Sequence, residues 1–490
     1  GGGISIIAND PVTSGGGGKT ICGWSVYTPF TDISSLEFHI QADHDVFTDA
    51  GLTCADDTQA IQQVNSLDDI QINAIQTVVA EKPTYAVASL NGTNTIDFAE
   101  DTLDLSSDVN LGIDYTIHIL YKKDTTSDKM VIGHNSQSSL IGDWSDNNFY
   151  ATSNSNAGIS FSIGHIIDYS IMTLVRDGSS NQATLYENGL IHDAKTLGSS
   201  ASISTTINLI GDRKFNDGKG DGNLADLTLY SAVKSISEVA TLIQELNTKY
   251  SVFLPYGGAP TPPTISGTTL EHYLNPNYDV YSDMGKTAAT NNNAVRATRT
   301  QQNDGDHIYQ GTGANQMIYH DTILGTNGSL YKGGGDYMKM SKEITFTNSE
   351  SFVAYSVHKR ANNGANSIYF KLGVTKDSII DYTNGTCYFF DSSGSASVNA
   401  GYSTDAVIRA YVIDRDADLF RVYDNGVEVG NKTIAARTGT VTFNAMFNWG
   451  SGTSLTGQID HGDVLLYRGL HDATDVGTVS DWLNTKYSIY

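Results

Sequence analysis

The sequence predicts an all-β protein that contains two copies of one domain. Three observations carry this prediction. The 490 residues include 48 glycines, and 44 of the 54 acidic residues are Asp, whose side chain bonds to nearby backbone and favours turns over helices. Apolar and polar residues alternate over short stretches, as they do in half-buried strands. Several motifs recur at a nearly constant offset, which is typical of an internal repeat.

The repeat relates the two halves of the chain. The matching segments are Ser35–Gly51 and Thr269–Gly285, Tyr186–Gly189 and Tyr423–Gly426, and Leu246–Ser251 and Leu483–Ser488. The offset is 234 for the first pair and 237 for the other two, so only a few residues of net insertion separate the copies. We therefore predict domains at residues 35–253 and 269–490.

Two segments lie outside the repeat. Residues 1–34 are rich in glycine with one apolar patch, Ile4–Ile7, and predict an arm that binds a virion or cell-surface protein. Residues 254–268 contain four of the eight prolines and predict a stiff, extended linker, because proline restricts the backbone. The sequence begins Gly1–Gly3 without Met or an apolar signal segment, and we expect an upstream segment to have been removed.

Within each copy, short alternating stretches predict strands. The stretches are Tyr115–Tyr121, Ile171–Arg176, Ala183–Glu187, Phe352–His358, Phe420–Tyr423 and Asp463–Tyr467. An Asn-Gly pair follows the third and the fifth stretch, and this dipeptide suits the tight turn of a β-hairpin.

One predicted helix closes each copy. Ser235 and Glu238 fit a capping box in the first copy, and apolar residues follow at helical spacing. Asp472 can cap the second helix, where the apolar stripe recurs over Val476–Leu483. Many strands with one terminal helix predict a β-sandwich whose open edge or end the helix covers.

These residues resemble the end of a laminin-G-like or concanavalin-A-like jelly-roll domain. The resemblance lies in Gly222–Tyr230 with the helix that reaches Tyr250, and in Gly457–Tyr467 with the helix that reaches Tyr487. The segment Lys82–Phe98 is similar to the family's approach to its first core strand. The resemblance implies two tandem concanavalin-A-like jelly-roll β-sandwiches, each closed by a short C-terminal helix.

Composition and motifs argue against several functions. The formal net charge is −25 and the basic residues form no stripe, so we do not expect nucleic acid as a partner. No apolar run approaches the ~18 residues of a membrane span. The stretch Gly15–Thr20 is similar to a phosphate-binding loop, but Thr13 stands where that motif needs Gly, so we expect it to be part of a flexible arm.

We expect that the protein is not an enzyme. The jelly-roll glucanases carry a Glu-x-Asp-x-(x)-Glu run on one strand, and no such run occurs in this sequence. No Gly-x-Ser-x-Gly elbow precedes a predicted helix, and the twelve histidines are scattered rather than spaced as zinc ligands. The alternative is a glycoside hydrolase of the jelly-roll class that acts through a pair of Asp carboxylates.

One loop is a candidate calcium site. Asp212, Asn216, Asp217 and Asp221 lie in a Gly-rich stretch and offer the hard oxygen ligands that calcium takes. The alternative is an ordinary solvated turn. We expect no other cofactor.

Aromatic residues beside polar ones are candidates for glycan binding, because sugar recognition needs an aromatic surface next to fixed polar groups. The first copy offers Trp144 and Tyr150, and the second offers Asn448 and Trp449. The alternative is that these aromatic residues serve strand formation and core packing.

The three cysteines cannot all pair within one chain. Cys22, Cys54 and Cys387 match no metal-ligand spacing, and we expect them to be free, buried thiols. A bridge between Cys22 and Cys54 is the alternative.

The repeat and the resemblance together favour a non-enzymatic surface protein. Loose jelly-roll repeats of this composition are similar to those of phage virion appendages, such as head fibres, capsid decorations and tail-associated adhesins. In this reading the arm anchors the protein in an oligomeric assembly at the virion surface, and the two domains attach to glycans or neighbouring proteins. A secreted bacterial carbohydrate-binding adhesin is the alternative.

Overall fold

The structure is a computed structural model that divides into two units, Gly1–Phe253 and Leu254–Tyr490. Before residue 34 it describes only two short strands, and for residues 367–371 it describes the backbone. From residue 34 onward the structure describes all residues except 52, 68–71, 126–128, 156, 164–165, 167, 213–218, 256–257, 302–304, 334–335, 362–366, 372–376, 382–383, 436–437 and 448–457.

Unit 1 consists of antiparallel strands followed by one helix. Its strands are β1 Val12–Thr13, β2 Thr20–Ile21, β3 Leu36–Gln41, β4 Val46–Phe47, β5 Gln63–Asn65, β6 Asn73–Ile75, β7 Thr84–Leu90, β8 Thr93–Asp101, β9 Leu103–Gly112, β10 Asp114–Lys122, β11 Met130–Gly133, β12 Leu140–Asp143, β13 Asn148–Thr152, β14 Gly158–Ser162, β15 Ser170–Asp177, β16 Gln182–Glu187, β17 Leu190–Thr196, β18 Thr205–Ile210 and β19 Gly220–Tyr230.

The strands from β3 onward form two sheets. The first has the order β17-β16-β15-β10-β19-β8-β7, with β3 also paired to β19, and we call it the helix-covered sheet. The other, here the second sheet, has the order β14-β13-β12-β11-β18-β9-β6-β5-β4. Strands β1 and β2 pair only with each other among the described residues.

Unit 2 likewise consists of antiparallel strands followed by one α-helix. Its strands are β20 Thr269–Leu274, β21 Val280–Tyr281, β22 Ala297–Arg299, β23 His307–Tyr309, β24 Ile318–Leu324, β25 Asn327–Lys332, β26 Met338–Phe346, β27 Phe352–Arg360, β28 Ser367–Lys371, β29 Ser378–Asp381, β30 Thr386–Asp391, β31 Gly394–Asn399, β32 Val407–Asp414, β33 Leu419–Asp424, β34 Val427–Thr433, β35 Val441–Met446 and β36 Ile459–Arg468.

The sheets of unit 2 repeat those of unit 1 strand for strand. The helix-covered sheet has the order β24-β25-β36-β27-β32-β33-β34, with β20 also paired to β36. The second sheet has the order β21-β22-β23-β26-β35-β28-β29-β30-β31. The prediction of an all-β fold with a terminal helix in each half of the chain is therefore confirmed.

The main core of each unit lies between its two sheets, because alternate residues of a strand point to opposite faces. In unit 1 this core includes Ile117 and Leu227 from the helix-covered sheet and Phe149 from the second sheet. In unit 2 the rings of Phe346 and Phe352 stack with their centroids 4.3 Å apart.

The helices are α1, Ile236–Tyr250, and α2, Ala473–Tyr487. Helix α2 packs Val476, Val479 and Leu483 onto a further apolar cluster that includes Tyr355 and Leu465 of the helix-covered sheet. No helix in the described part of the chain is long and apolar enough to cross a membrane.

The predicted capping box of α1 is present. The Ser235 side chain accepts from the Glu238 backbone N–H, and the Glu238 carboxylate accepts from the Ser235 N–H at 2.7 Å. Asp472 caps α2 by accepting from the N–H groups of Thr474 and Asp475. Both helices therefore begin where the sequence predicts.

The Asn-Thr-Lys-Tyr motif at the end of each helix ties that helix to the sheet beneath it. In unit 2, Lys486 Nζ lies 2.6 Å from the buried carboxylate of Asp463, and the Tyr487 hydroxyl donates to the same carboxylate at 2.7 Å. In unit 1, Lys249 Nζ lies 2.7 Å from Asp43 Oδ1, a carboxylate contributed after β3. The sequence resemblance at the end of each copy thus marks the point where helix and sheet are joined.

The cysteines differ from the expectation in part. Cys387 is a free, buried thiol, as expected. Cys54 is disulfide-bonded, so the expectation of a free thiol at that position is wrong. The expectation failed because the spacing of cysteines in a sequence does not show which of them meet in the fold. Cys22 lies outside the described residues.

The link between α2 and its sheet makes a quantitative prediction. Tyr487→Phe removes one donor from the buried Asp463 carboxylate, and we expect a loss of about 1–2 kcal/mol in the free energy of unfolding, measured by urea denaturation. Tyr490→Phe is the matched control, because its hydroxyl bonds to the exposed Asp481 and its loss is worth less than about 0.5 kcal/mol. Equal losses in the two variants would contradict the role given to Tyr487.

Candidate functional site

A cleft of about 350 Å³ lies on the second sheet of unit 1, at the edge formed by β12, β13 and β14. Its lining residues are Leu140, Trp144, Tyr150, Thr152, Gly158, Ile159 and Ser160. The structure thus brings together Trp144 and Tyr150, which the sequence proposed as glycan-binding candidates.

The strand register explains why these side chains share one surface. Tyr150 is paired with Gly142 of β12 and with Ser160 of β14. Its neighbour Phe149 belongs to the core between the sheets. Because successive side chains alternate, Tyr150 and Ser160 lie on the opposite, outer face.

Gly142 allows β12 to approach the neighbouring strand β11 closely. Its φ is +136°, a value that L side chains rarely adopt. A Cβ at this position would also overlap the carbonyl oxygen of Met130. Only glycine fits opposite Tyr150 without moving the strands apart.

The turn between β12 and β13 positions Trp144. Its backbone N–H donates to the Asn148 carbonyl at 2.9 Å, and the Asn147 N–H donates back to the Trp144 carbonyl at 3.1 Å. The indole is half-buried, and Lys129 Nζ lies 4.3 Å from the ring centroid. That distance is within the range of a cation–π interaction.

The hydroxyl group of Tyr150 is bonded to the carboxylate of Asp146. Its hydroxyl donates to Asp146 Oδ2 at 2.7 Å, and the Asn148 N–H donates to Asp146 Oδ1 at 3.1 Å. Partial burial opposes ionisation of Asp146, but these hydrogen bonds outweigh it and lower the pKa of this carboxyl below its ordinary value. The exposed Asp146 is therefore an acceptor at neutral pH.

A buried ion pair supports the cleft from below. Asp143 is the last residue of β12, and its Oδ1 lies 2.9 Å from Lys123 Nζ, with both side chains fully buried. Lys123 Nζ also lies 3.4 Å from the Trp144 carbonyl oxygen, and the Tyr121 hydroxyl donates to Asp143 at 3.2 Å. Burial raises the pKa of Asp143 to about 6, although Lys123 opposes the shift.

A lysine contacts the edge of β14, next to the cleft. Lys195 of β17 is partly exposed and donates to the Ser160 carbonyl at 2.5 Å. This bond joins the edge of the helix-covered sheet to the edge of the second sheet. Two aromatic side chains and a serine therefore line the cleft, while the ionised Asp146 is bonded to the Tyr150 hydroxyl and Lys195 to the Ser160 carbonyl.

The other predicted sites are only partly described. Asn448 and Trp449 lie outside the described residues. Of the calcium candidates, Asp212 is buried and Asp221 lies on β19, whereas Asn216 and Asp217 also lie outside them. Among the residues that the structure describes, no group of three or more His, Cys, Asp or Glu could hold a metal ion. Calcium binding by this loop stays a prediction.

Sequence reasoning missed the support beneath the cleft. Lys123 and Asp143 are separated by twenty positions, and nothing local marks them as partners. A signal for the outer face was present in β13, where polar and apolar residues alternate from Asn148 to Thr152. That alternation assigns Tyr150 to the face opposite Phe149.

No family model matches the chain, and no curated protein matches it. Among solved structures, domain 4 of an extracellular GH43 arabinanase from Geobacillus stearothermophilus is similar at 17% identity, over 44% of this chain and 98% of that one, with a TM-score of 0.30. The CBM40 domain of the Ruminococcus gnavus IT-sialidase is similar at 14% identity, over 31% of this chain and 98% of that one, with a TM-score of 0.23. The Trypanosoma rangeli sialidase is similar at 9% identity, over 88% and 72%, with a TM-score of 0.32.

Fold and cleft define an all-β protein of two β-sandwich units, the first of which has an aromatic cleft on its second sheet. The TM-scores above are low. The function proposed for this chain therefore rests on its own residues.

The buried ion pair predicts that replacing Lys123 lowers the free energy of unfolding much more than replacing its neighbour Lys122. Lys123→Ala leaves Asp143 buried without its cation, and we expect a loss of about 3–5 kcal/mol in the free energy of unfolding at pH 8. Lys122→Ala removes a 3.6 Å pair with Asp124 between partly exposed side chains and a cation contact 5.4 Å from the Tyr169 ring centroid, and we expect a loss of about 0–1 kcal/mol.

The loss in Lys123→Ala also depends on pH. The pKa of Asp143 is raised in the folded state, so ionisation of this carboxyl disfavours folding increasingly as pH rises through about 6. We expect a smaller loss at pH 5, where the carboxyl is protonated, than at pH 8. Urea denaturation at both values measures it, and a loss that does not change with pH would contradict the assignment.

Proposed function

We propose that the cleft of unit 1 binds carbohydrate and does not hydrolyse it. The observation that carries the proposal is the placement of Trp144 and Tyr150, both half-buried, in one cleft with a carboxylate hydrogen-bonded to the tyrosine. Sugar rings present apolar C–H faces and a periphery of hydroxyl groups. An aromatic surface beside fixed polar groups matches both.

The polar groups of the cleft support this assignment. Asp146 is ionised at neutral pH and can accept hydrogen bonds from sugar hydroxyls. Ser160 adds a hydroxyl, and the Lys195 cation lies next to it, bonded to the Ser160 carbonyl oxygen. Because the two sheet edges and the buried pair hold these groups, little ordering is needed when a ligand enters.

Glycoside hydrolysis is the second candidate, and one observation favours it. The pKa values of Asp143 and Asp146 are shifted in opposite directions, as in the acid and base of a carboxylate pair. Asp143, however, is fully buried and bonded to Lys123 and Tyr121, so its carboxyl does not reach the cleft surface. That burial supports binding rather than hydrolysis.

We further propose that the protein works at a surface outside the cytoplasm, as a virion appendage of a phage or, alternatively, as a secreted bacterial adhesin. The disulfide at Cys54 supports a location where thiols are oxidised. The two repeated units suit attachment to glycans or neighbouring proteins. The Gly-rich arm of residues 1–34 is the proposed anchor in an oligomeric assembly.

The test is a glycan array of neutral and acidic oligosaccharides, probed with the whole chain and with Trp144→Ala. Loss of the indole removes the larger aromatic surface, and we expect binding to the cleft ligand to fall at least about tenfold, or ~1.4 kcal/mol. Tyr490→Ala is the matched control, since Tyr490 is an exposed aromatic residue on a different unit, and it should bind as the wild type does.

Two results would overturn the proposal. The first is wild-type binding on the array that Trp144→Ala leaves unchanged for every glycan. The second is release of reducing sugar by the wild type that disappears in Asp146→Asn, which would establish the hydrolase instead.

A further inference from the structure

We infer that unit 2 has a second carbohydrate site, on the outer face of β29, β30 and β31. The inference rests on the proposed function of the unit 1 cleft. It is carried by Tyr388 and Phe390, two half-buried aromatic residues on β30.

The register of the strands makes the two places equivalent. Strands β29, β30 and β31 occupy the positions in their sheet that β12, β13 and β14 occupy in theirs. Tyr388 pairs with Ser397 of β31, as Tyr150 pairs with Ser160 of β14. Phe390 correspondingly takes the place of Thr152.

The aromatic rings lie on the face opposite the core. Cys387 and Phe389, which alternate with them, are fully buried in the core cluster of unit 2. The rings of Tyr388 and Phe390 are nearly parallel, with an angle of 16° and centroids 5.5 Å apart. Neither ring is part of that cluster.

Hydroxyl groups border the aromatic pair. Ser395 is exposed and lies opposite Phe390, and the half-buried Ser397 lies opposite Tyr388. Their neighbours Ala396 and Val398 turn to the core. The outer face of this edge therefore offers two aromatic rings flanked by hydroxyls, which is the combination that recognises a sugar ring in an oligosaccharide.

A buried ion pair supports this place, as it does in unit 1. Asp381 ends β29, as Asp143 ends β12, and it is ion-paired with Arg360 and, at 2.5 Å, with Arg409. Arg360 occupies the position that corresponds to Lys123: Arg360 is the last residue of β27, and Lys123 directly follows the equivalent strand β10. The equivalence thus includes the interaction that fixes the strand end.

The sequence agrees with this equivalence. An aromatic residue follows each buried aspartate, Trp144 in the first copy and Tyr382 in the second. Tyr382 lies outside the described residues, so Tyr388 and Phe390 alone carry the inference. The sequence predicts Asn448 and Trp449 instead, because an aromatic residue and an amide are neighbours there.

The experiment separates the two sites on the same glycan array. Trp144→Ala with Tyr150→Ala removes the unit 1 surface, and we expect this double variant to keep binding to at least one array glycan. Adding Tyr388→Ala and Phe390→Ala should reduce that remaining signal at least tenfold. Ser397→Arg, added in place of the two aromatic changes, should give the same reduction, because its side chain fills the surface and leaves both rings in place.

Each outcome decides between the two proposals. If the wild type binds and the unit 1 double variant binds nothing, the second site does not exist and the unit 1 proposal stands. If the remaining signal survives both the aromatic changes and Ser397→Arg, the second site is likewise wrong. If the wild type binds no glycan, or binds and no variant alters binding, both proposals fail. Thermal unfolding of each variant, with Tyr490→Ala as the reference, shows whether a binding signal was lost because the variant unfolds. If the two aromatic changes unfold the protein, the result for Ser397→Arg decides whether the second site exists.

Discussion

A buried carboxylate at the end of one strand determines where each aromatic surface lies. In unit 1, Asp143 ends β12, and its partner Lys123 also reaches the carbonyl oxygen of Trp144. In unit 2, Asp381 ends β29 between two arginines. A carboxylate removed from water is stable only while such partners remain in place. The strand end therefore cannot shift, and the aromatic residues that follow it along the chain take up a fixed position.

The pKa values of Asp143 and Asp381 are shifted in opposite directions. In unit 1 burial dominates and raises the pKa of Asp143 to about 6, with Lys123 as the opposing cation. Burial also acts on Asp381, but Arg409 and His358, together with a second arginine, outweigh it and lower the pKa of this carboxyl. In mild acid the first carboxylate takes up a proton and the second does not. The two units thus share an architecture without sharing a response to pH.

The sequence predicted those features that depend on neighbouring residues or on a periodic pattern of apolar residues. The capping residues Ser235 and Asp472 precede their helices directly, and Trp144 and Tyr150 lie around one short turn, so each could be read from a few neighbouring positions. Contacts between distant strands were not predictable, because alternation gives the face of a residue and not its partner. Tyr388 has no polar motif beside it, and only its register with the first unit marks it. The disulfide at Cys54 stood only as the alternative, because cysteine spacing does not show which thiols meet in the fold.

The strand-for-strand correspondence of the two units points to a duplication within an ancestral gene. After a duplication, one copy is free to change its surface as long as the residues that join helix to sheet persist. The two copies retain Lys249 and Lys486 at those joints, whereas Thr152 and Phe390 have diverged on the outer face. Recombination between the coding segments of the two Asn-Thr-Lys-Tyr motifs would add or remove one whole unit at a time. Such recombination would lengthen or shorten the array of units without interrupting a sheet.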